Sequence, residues 1–262
     1  CLLVVAGSYC WATGMIDSLN AYRSPLAETP PAPGEPLGEP LTRRVVIVLI
    51  DALRNDTTLK PEVMPFLNEL RSQAAWADMY SRPPSYSQTG YTMIFSGAWA
   101  DLADAPLLNL DDDQMRPWTQ DNLFSAAQRV GLKTAVSGYY WFGIQIPAGD
   151  VDSSFYTRGE DAAADNDVMQ AARAMLHNPS NALVLIHLDQ VDYAGHHEGG
   201  PRDPRWNAAA TRADTYLREI VAALDLSQDT VLVLSDHGQI DQGGHGGQEA
   251  VLLLEPFVPT AS

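Results

Sequence analysis

Cysteine is nearly missing from this chain. Of 262 residues only Cys1 and Cys10 are cysteines, both in the first ten positions. The body of the sequence therefore holds no disulfide framework and no thiolate metal site, so metal chemistry here would have to use oxygen and nitrogen donors. Positive charge is scarce too. The 16 Lys and Arg face 33 Asp and Glu, for a formal net charge of −17, and only Lys60 and Lys133 among the basic residues are lysines. That balance argues against a nucleic-acid partner, because a phosphate backbone needs a basic face. It also disfavours unassisted docking on anionic lipid, although a covalent or transmembrane tether would override it. Internal repeats are lacking as well.

What is present divides into three parts. Residues 1–16 are mostly apolar and begin with Cys rather than Met. A membrane-spanning helix needs about 20 apolar residues, so this run reads as a transmembrane or signal-anchor helix cut at its start. A buried amphipathic helix and a lipidated Cys1 are the alternatives. Residues 24–40 hold six prolines, two glycines and three glutamates, the composition of an extended, partly polyproline-like linker. The expected organisation is a membrane anchor over residues 1–23, a Pro-rich linker over 24–40 that holds the rest off the bilayer, and a catalytic α/β domain over 41–262. The apolar run at 251–254 reads as another strand close to Ser262, so the domain is expected to continue further.

Within residues 41–262 strand and helix patterns alternate. Continuous apolar runs at 45–50, 183–188 and 231–234 suit strands buried on both faces. Helices are expected near 64–75, at 122–130 stopped by Gly131, at 162–176 and at 206–224, and a further strand at 133–137. A short apolar segment lies at 76–80. The turn-rich stretch 82–90 leads into 91–95, placed at a helix start. This order implies a mostly parallel, doubly wound sheet with helices on both faces. Ligands collect beyond the carboxyl ends of such strands.

Each of the three apolar runs ends in Asp, or in Asp and His. Asp51 follows the first. The second leads through His187 and Asp189 to Asp192 and His196, and the third reaches Asp236, His237 and His245. Five of the six histidines fall within 183–245. Carboxylate and imidazole donors without sulfur suit zinc, with manganese as a substitute, so the pattern reads as a site for two divalent metal ions.

These strings resemble the alkaline phosphatase superfamily, in its type I phosphodiesterase/nucleotide pyrophosphatase branch, and are similar to the ethanolamine-phosphate transferases of glycosylphosphatidylinositol assembly. The resemblance rests on Ile50-Asp51-Ala52-Leu53-Arg54-Asn55-Asp56, on Val191-Asp192-Tyr193-Ala194-Gly195-His196, and on Ser235-Asp236-His237-Gly238 followed by Gly244-His245-Gly246-Gly247. It implies an alkaline-phosphatase-like fold. It further implies that Asp192, His196 and His245 hold one metal, and that Asp51, Asp236, His237 and the nucleophile hold the other. The family nucleophile lies in a Pro-Thr-x-Thr/Ser-x-Pro segment. The matching Pro84-Ser85-Tyr86-Ser87-Gln88-Thr89 puts Ser87 in that position, with Ser85 replacing the usual Thr and Thr89 the final Pro. Ser85 and Thr89 are the fallback nucleophiles.

The reaction expected on this basis is in-line displacement at phosphorus by Ser87, activated by a divalent cation, through a phosphoseryl intermediate. The leading expectation is a phosphodiesterase or phosphatase, membrane-anchored with its catalytic domain outside the cytoplasm, acting on a phosphate-ester small molecule or lipid head group. A phosphoethanolamine transferase acting on a glycolipid and a catalytically inactive metal-binding module are the alternatives. The sulfatase signature, Cys/Ser-x-Pro-x-Arg, does not occur. His187 and Asp189 are candidates for orienting Asp192 or His196, His197 is expected to be exposed, and 111–113 reads as a solvated charge run. Among the aromatics Tyr139, Tyr140, Trp141 and Phe142, Trp141 is the candidate substrate contact.

Overall fold

The computed structural model describes residues 2–35, 38–83, 85–161, 163–246, 252–253 and 257–259, the last five by backbone alone. In chain order the elements are α1 (Leu2–Asn20), β1 (Arg44–Ile50), α2 (Asn55–Thr58), α3 (Pro65–Arg71), β2 (Ala74–Trp76), β3 (Met79–Tyr80), α4 (Ser87–Ser96), α5 (Leu123–Arg129), β4 (Lys133–Tyr139), α6 (Tyr140–Gln145), β5 (Ser153–Thr157), α7 (Ala164–His177), β6 (Asn181–Leu188), α8 (Gln190–His197), α9 (Pro204–Ala222), β7 (Asp229–Leu234), β8 (Leu252–Leu253) and β9 (Phe257–Pro259).

A seven-stranded sheet in the order β2-β9-β7-β1-β6-β4-β5 forms the centre. The five strands from β7 to β5 run parallel, while β9 pairs antiparallel with β7 and β2 with β9. β1 lies in the middle, pairing Val46 with Val184 on one side and with Val231 on the other. Successive side chains of a strand point to opposite faces, and both faces of β1 are buried. Val46, Val48 and Ile50 join a core with Val168, Trp206 and Leu217. Ile47 and Leu49 join a second core with Tyr91, Phe95, Phe124 and Phe142. Helices thus cover both faces, as the continuous apolar runs predict.

Local chemistry sets several boundaries. Asn122 caps α5, its side chain accepting from the backbone N–H of Phe124 and Ser125. Asp203 caps α9, which opens on Pro204. The helix expected over 64–75 stops at Arg71, and Ala74 and Ala75 belong to β2, where pairing with β9 overrides the helix preference of alanine. The helix start expected at Tyr91 lies at Ser87. Pro, Ser and Gly read as a turn, but Ser87 to Gly90 form the buried first turn of α4, packed against the end of β7. β5, with the sequence Ser-Ser-Phe-Tyr-Thr, has too little apolar character to be predicted. Of the strand expected at 251–254, Leu252 and Leu253 form β8, and residues 251 and 254 lie outside the described residues.

α3 carries no cap of its own. The Asp214 carboxylate on α9 instead accepts from the backbone N–H of Phe66 at 2.9 Å and of Leu67 at 2.8 Å, in a buried position. Asp214→Ala strands both donors, at a cost of about 1–3 kcal/mol. At about 2–4 °C per kcal/mol, thermal unfolding should detect the loss, and Asp214→Asn should recover part of it.

Candidate metal centre

Strand order brings the chemistry together. β6, β1 and β7 are neighbours, and each delivers its polar residues just past its carboxyl end. Asp51 follows β1, and Asp236 and His237 follow β7 after Ser235. From β6 the chain passes Asp189 into α8, where Asp192 and His196 stand one turn apart on one side, as an i, i+4 pair does. His245 arrives on a glycine-rich loop in which Gly243, Gly244 and Gly246 all have φ near +90°. Those backbone angles suit glycine alone.

The donor atoms of Asp192, His196 and His245 lie within 4.8 Å of one another, and so do those of Asp51, Asp192 and His237. His237 Nε2 is 3.4 Å from Asp51 Oδ1, 3.5 Å from Asp236 Oδ2 and 3.0 Å from Ser87 Oγ. The ring of His245 lies between those of His196 and His237, 4.8 and 4.7 Å away. All seven residues that the sequence assigns to the site, Asp51, Ser87, Asp192, His196, Asp236, His237 and His245, therefore meet in one place.

The donor set fits two cations. Among the described residues Asp51 Oδ1 and Asp236 Oδ2 are buried without a hydrogen-bond partner, a costly condition for a carboxylate oxygen unless a positive charge faces it. Burial and the neighbouring Asp51 push the carboxyl groups of Asp236 and Asp189 well above the usual range. Burial works against protonation of His237, but Asp236, Asp51 and Asp192 together raise its pKa to about 10. Burial and the nearby His237 lower that of His245 to about 4. For Asp51 burial is outweighed by the hydrogen bond from His187 and the close imidazole of His237, which hold it below the ordinary carboxylate range. The negative charge is thus partly neutralised by protons that cations would displace.

Neighbours place these groups. His187 Nε2 is 3.0 Å from Asp51 Oδ2 and 3.1 Å from the Tyr91 hydroxyl, which also donates to Asp51. His187 therefore supports Asp51 rather than Asp192 or His196. Asp189 joins Asp51 and His187 in a third cluster of donor atoms. Gln239, fully buried, was not anticipated from the sequence. Its Nε2 donates to Asp192 Oδ1 at 2.6 Å, and its Oε1 accepts from Gly244 N at 3.0 Å, linking one carboxylate to the loop that carries His245. Gly195 makes room for it, since a Cβ there would fall 1.6 Å from Gln239 Oε1. Spacing two residues after Asp-His was the available signal, but an uncharged side chain gave no reason to use it.

Ser87 is the first residue of α4, at the positive end of its dipole. The fallback hydroxyls are engaged elsewhere: Thr89 Oγ1 donates to the Pro106 carbonyl at 2.6 Å, and Ser85 Oγ accepts from Gly246 N at 3.2 Å. Ser85 also offers its carbonyl to His245 Nδ1 at 2.8 Å. A cleft of about 310 Å³ opens over Ser87, lined among others by Tyr140, Trp141, Arg158, Glu160, Asp189 and Tyr193. Trp141, the candidate substrate contact, is one of its lining residues. His197 is exposed, stacked on Tyr193.

The sequence model of the type I phosphodiesterase / nucleotide pyrophosphatase family matches residues 45–251. Among curated proteins, GPI ethanolamine phosphate transferase 2 of Eremothecium gossypii is 28% identical over 223 residues, covering 81% of this chain and 27% of its own length. The catalytic subunit of human GPI ethanolamine phosphate transferase 3 is 25% identical over 300 residues, covering 100% and 27%. The chain thus spans about a quarter of the length of these relatives. Among solved structures, murine ectonucleotide pyrophosphatase / phosphodiesterase 5 superposes with a TM-score of 0.59 at 15% identity, over 74% of this chain and 57% of that one. The C-terminal periplasmic domain of EcEptC from Escherichia coli, in complex with Zn, gives 0.58 at 15% identity, over 84% and 73%. The fold is alkaline-phosphatase-like.

Two outcomes are expected of metal titration. Zinc added to metal-free protein near pH 7 should release protons, because His237 is protonated below about pH 10, and apparent affinity should rise with pH across the neutral range. Calorimetry in buffers of different ionisation enthalpy measures the release. Gln239→Leu should weaken binding by about 10–100-fold, leaving one site more affected than the other.

Proposed function

This chain belongs to the type I phosphodiesterase / nucleotide pyrophosphatase family, and we propose that it cleaves a phosphodiester bearing a small cationic head group through a covalent phosphoryl intermediate on Ser87. The observation that carries this reading is the place of Ser87 Oγ: at the start of α4, 3.0 Å from His237 Nε2, and on the floor of the cleft.

Asp192, His196 and His245 would hold one divalent cation, and Asp51, Asp236, His237 and Ser87 Oγ the other, with zinc the proposed metal and manganese a substitute. Bound there, the cations supply Lewis-acid charge at the phosphoryl oxygens and favour the alkoxide form of a coordinated hydroxyl. Ser87 Oγ, its proton passed to solvent, would then form a bond to phosphorus as the bond to the departing alkoxide breaks, and that alkoxide would take a proton from solvent. The Tyr91 hydroxyl and His187 hold Asp51 in place, and Gln239 holds Asp192. The dipole of α4 favours negative charge at its first residue. An acceptor hydroxyl subsequently takes the phosphoryl group and restores Ser87.

The cleft favours an ammonium on the head group. Trp141 and Tyr193 line it together with Glu160, an aromatic and acidic combination that suits small cations. Arg158, stacked on Tyr140 and paired with Asp112, borders it. Ethanolamine phosphate, named in the curated relatives, has this chemistry. The acceptor is proposed to be an alcohol of a glycolipid, which makes the reaction a transfer. Hydrolysis, with water as acceptor, is the second reading, favoured by the phosphodiesterase description of the matched family. The apolar α1, long enough to cross a membrane, is proposed to anchor the domain over residues 41–262 outside the cytoplasm, with 24–40 as the connection.

Incubation of the full chain with zinc and phosphatidylethanolamine vesicles, followed by acid quench and peptide mass spectrometry, is expected to show ethanolamine phosphate on Ser87. Ser87→Ala should abolish the adduct and lower turnover by at least about 10³-fold with both metals retained. An adduct elsewhere, or undiminished turnover in Ser87→Ala, contradicts the reading. Free phosphoethanolamine as the only product with a glycolipid acceptor present selects hydrolysis.

A further inference from the structure

The segment after α1 has the composition of a flexible linker, yet its first residues are bonded to the domain at several points. Arg23 donates from Nε to both oxygens of Asp104, at 3.1 and 3.0 Å, and from Nη2 to Oδ2 at 2.6 Å. Ser24 N donates to Asp104 Oδ1 at 2.7 Å, and Thr119 Oγ1 to Oδ2 at 3.0 Å. On either side of this pin the domain captures backbone carbonyls: Arg116 Nη2 donates to Tyr22 O at 2.8 Å, and Gln120 Nε2 to Leu26 O at 3.0 Å. Ser24 is buried, and its hydroxyl accepts from Leu26 N at 3.0 Å.

Asp104 is built for this role. Its side chain is 1% exposed, with φ at +55°, a left-handed conformation uncommon outside glycine that the surroundings must enforce. Charge-assisted bonds to a buried carboxylate are the stronger class of hydrogen bond. The same turn presents apolar surface. Leu102 N and Ala103 N both donate to Trp99 O, at 2.9 and 2.8 Å, so Trp99, Leu102 and Asp104 share one compact turn. Trp99 and Leu102 are 44% and 48% exposed, and the Arg82 guanidinium lies 4.0 Å from the Trp99 ring. They border an apolar cleft of about 490 Å³ with Met79, Met93 and Ile94. Leu26, Pro31 and Pro33 extend the same surface along the connection to Ala98 and Leu102.

α1 has no buried residue along its length, and its last residue, Asn20, stands three positions before Arg23. Whatever medium surrounds α1 therefore begins within about 11 Å of the pin, since consecutive Cα atoms are about 3.8 Å apart. We propose that residues 22–26 form a rigid strap, pinned by Asp104, that seats the domain on the bilayer by the Trp99–Leu102 turn and so fixes the approach of lipid substrate to the cleft. The occupant of the apolar face is the lipid surface itself. An exposed indole carrying an arginine is the kind of side chain found at a membrane–water boundary. The net charge of −17 makes zwitterionic lipid the fitting partner. This rests on α1 being the anchor proposed above.

The test uses the full chain with Cys1→Ser, spin-labelled at Cys10 on α1 and at Leu226→Cys on the domain. Vesicle flotation reads the anchor, and the distance distribution between labels, measured in vesicles and in detergent, reads the strap independently. A single narrow distribution is expected. Asp104→Gly, which accepts the positive φ but removes every acceptor, should broaden it at least about twofold and lower turnover of bilayer-borne phosphodiester by about tenfold, with turnover of a soluble diester unchanged. With Cys10→Ser added, a fluorophore at Leu102→Cys should shift to the blue on phosphatidylcholine vesicles, whereas the same probe at Leu226→Cys should not. A broad distribution before mutation, an Asp104→Gly variant that keeps the native width, or a Leu102 probe indifferent to vesicles overturns the proposal. Failure to float with the strap still narrow overturns the membrane seat and leaves the anchor reading at fault.

Discussion

Three carboxylates, those of Asp51, Asp192 and Asp236, converge beyond adjacent strands of one parallel sheet, where Asp51 and Asp236 are almost without access to water. Buried negative charges at this separation repel one another strongly and keep little of their hydration. The surrounding structure answers that constraint. Imidazoles from three segments face the carboxylates, the Tyr91 hydroxyl and the Ala52 N–H each donate to one of them, and α4 points its positive end at the same spot. Orphaned oxygens on Asp51 and Asp236 leave the balance to be completed by cations. Cations bound there, as proposed above, would also let an acidic chain gather an anionic phosphate, because their local charge would oppose the field of the whole protein.

The framework was legible because burial on both faces writes itself into a strand as an unbroken apolar run. β1, β6 and β7 are such runs, and Asp or His at their ends marks the carboxyl edge of the sheet. The remaining elements are set by tertiary context. β5 lies at the sheet edge with serines in its first half, so neither periodicity nor composition distinguished it. α4 begins with Ser-Gln-Thr-Gly, residues that favour turns when nothing packs on them. Here Gly90 lets the helix approach the end of β7 closely, since a Cβ would fall 2.8 Å from the Asp236 carbonyl. The site followed the same division. The charged or titratable candidate ligands are recognisable by type and spacing, whereas Gln239 and Tyr91, which bond to Asp192 and Asp51, look like ordinary polar and aromatic residues until their partners are known.

Residues 24–40 show how composition misleads over short distances. Proline and glycine imply an extended connection, but residues 24–29 turn, with Ala27 N donating to Ser24 O and Thr29 N to Leu26 O, and the first of them is fixed by one buried carboxylate eighty positions away. A few strong, buried hydrogen bonds outweigh the conformational entropy of a short segment. The same principle operates at the candidate metal centre, where the glycine-rich backbone is held because His245, Gly244 and Gly246 each have a partner in the domain.

The most direct test of the central claim is anomalous diffraction from crystals soaked in zinc at neutral pH. Two strong peaks are predicted, one among Asp192, His196 and His245, the other among Asp51, Asp236 and His237 with Ser87 Oγ beside it. A single peak, or density at Asp51, His187 and Asp189 in place of the second, would contradict it.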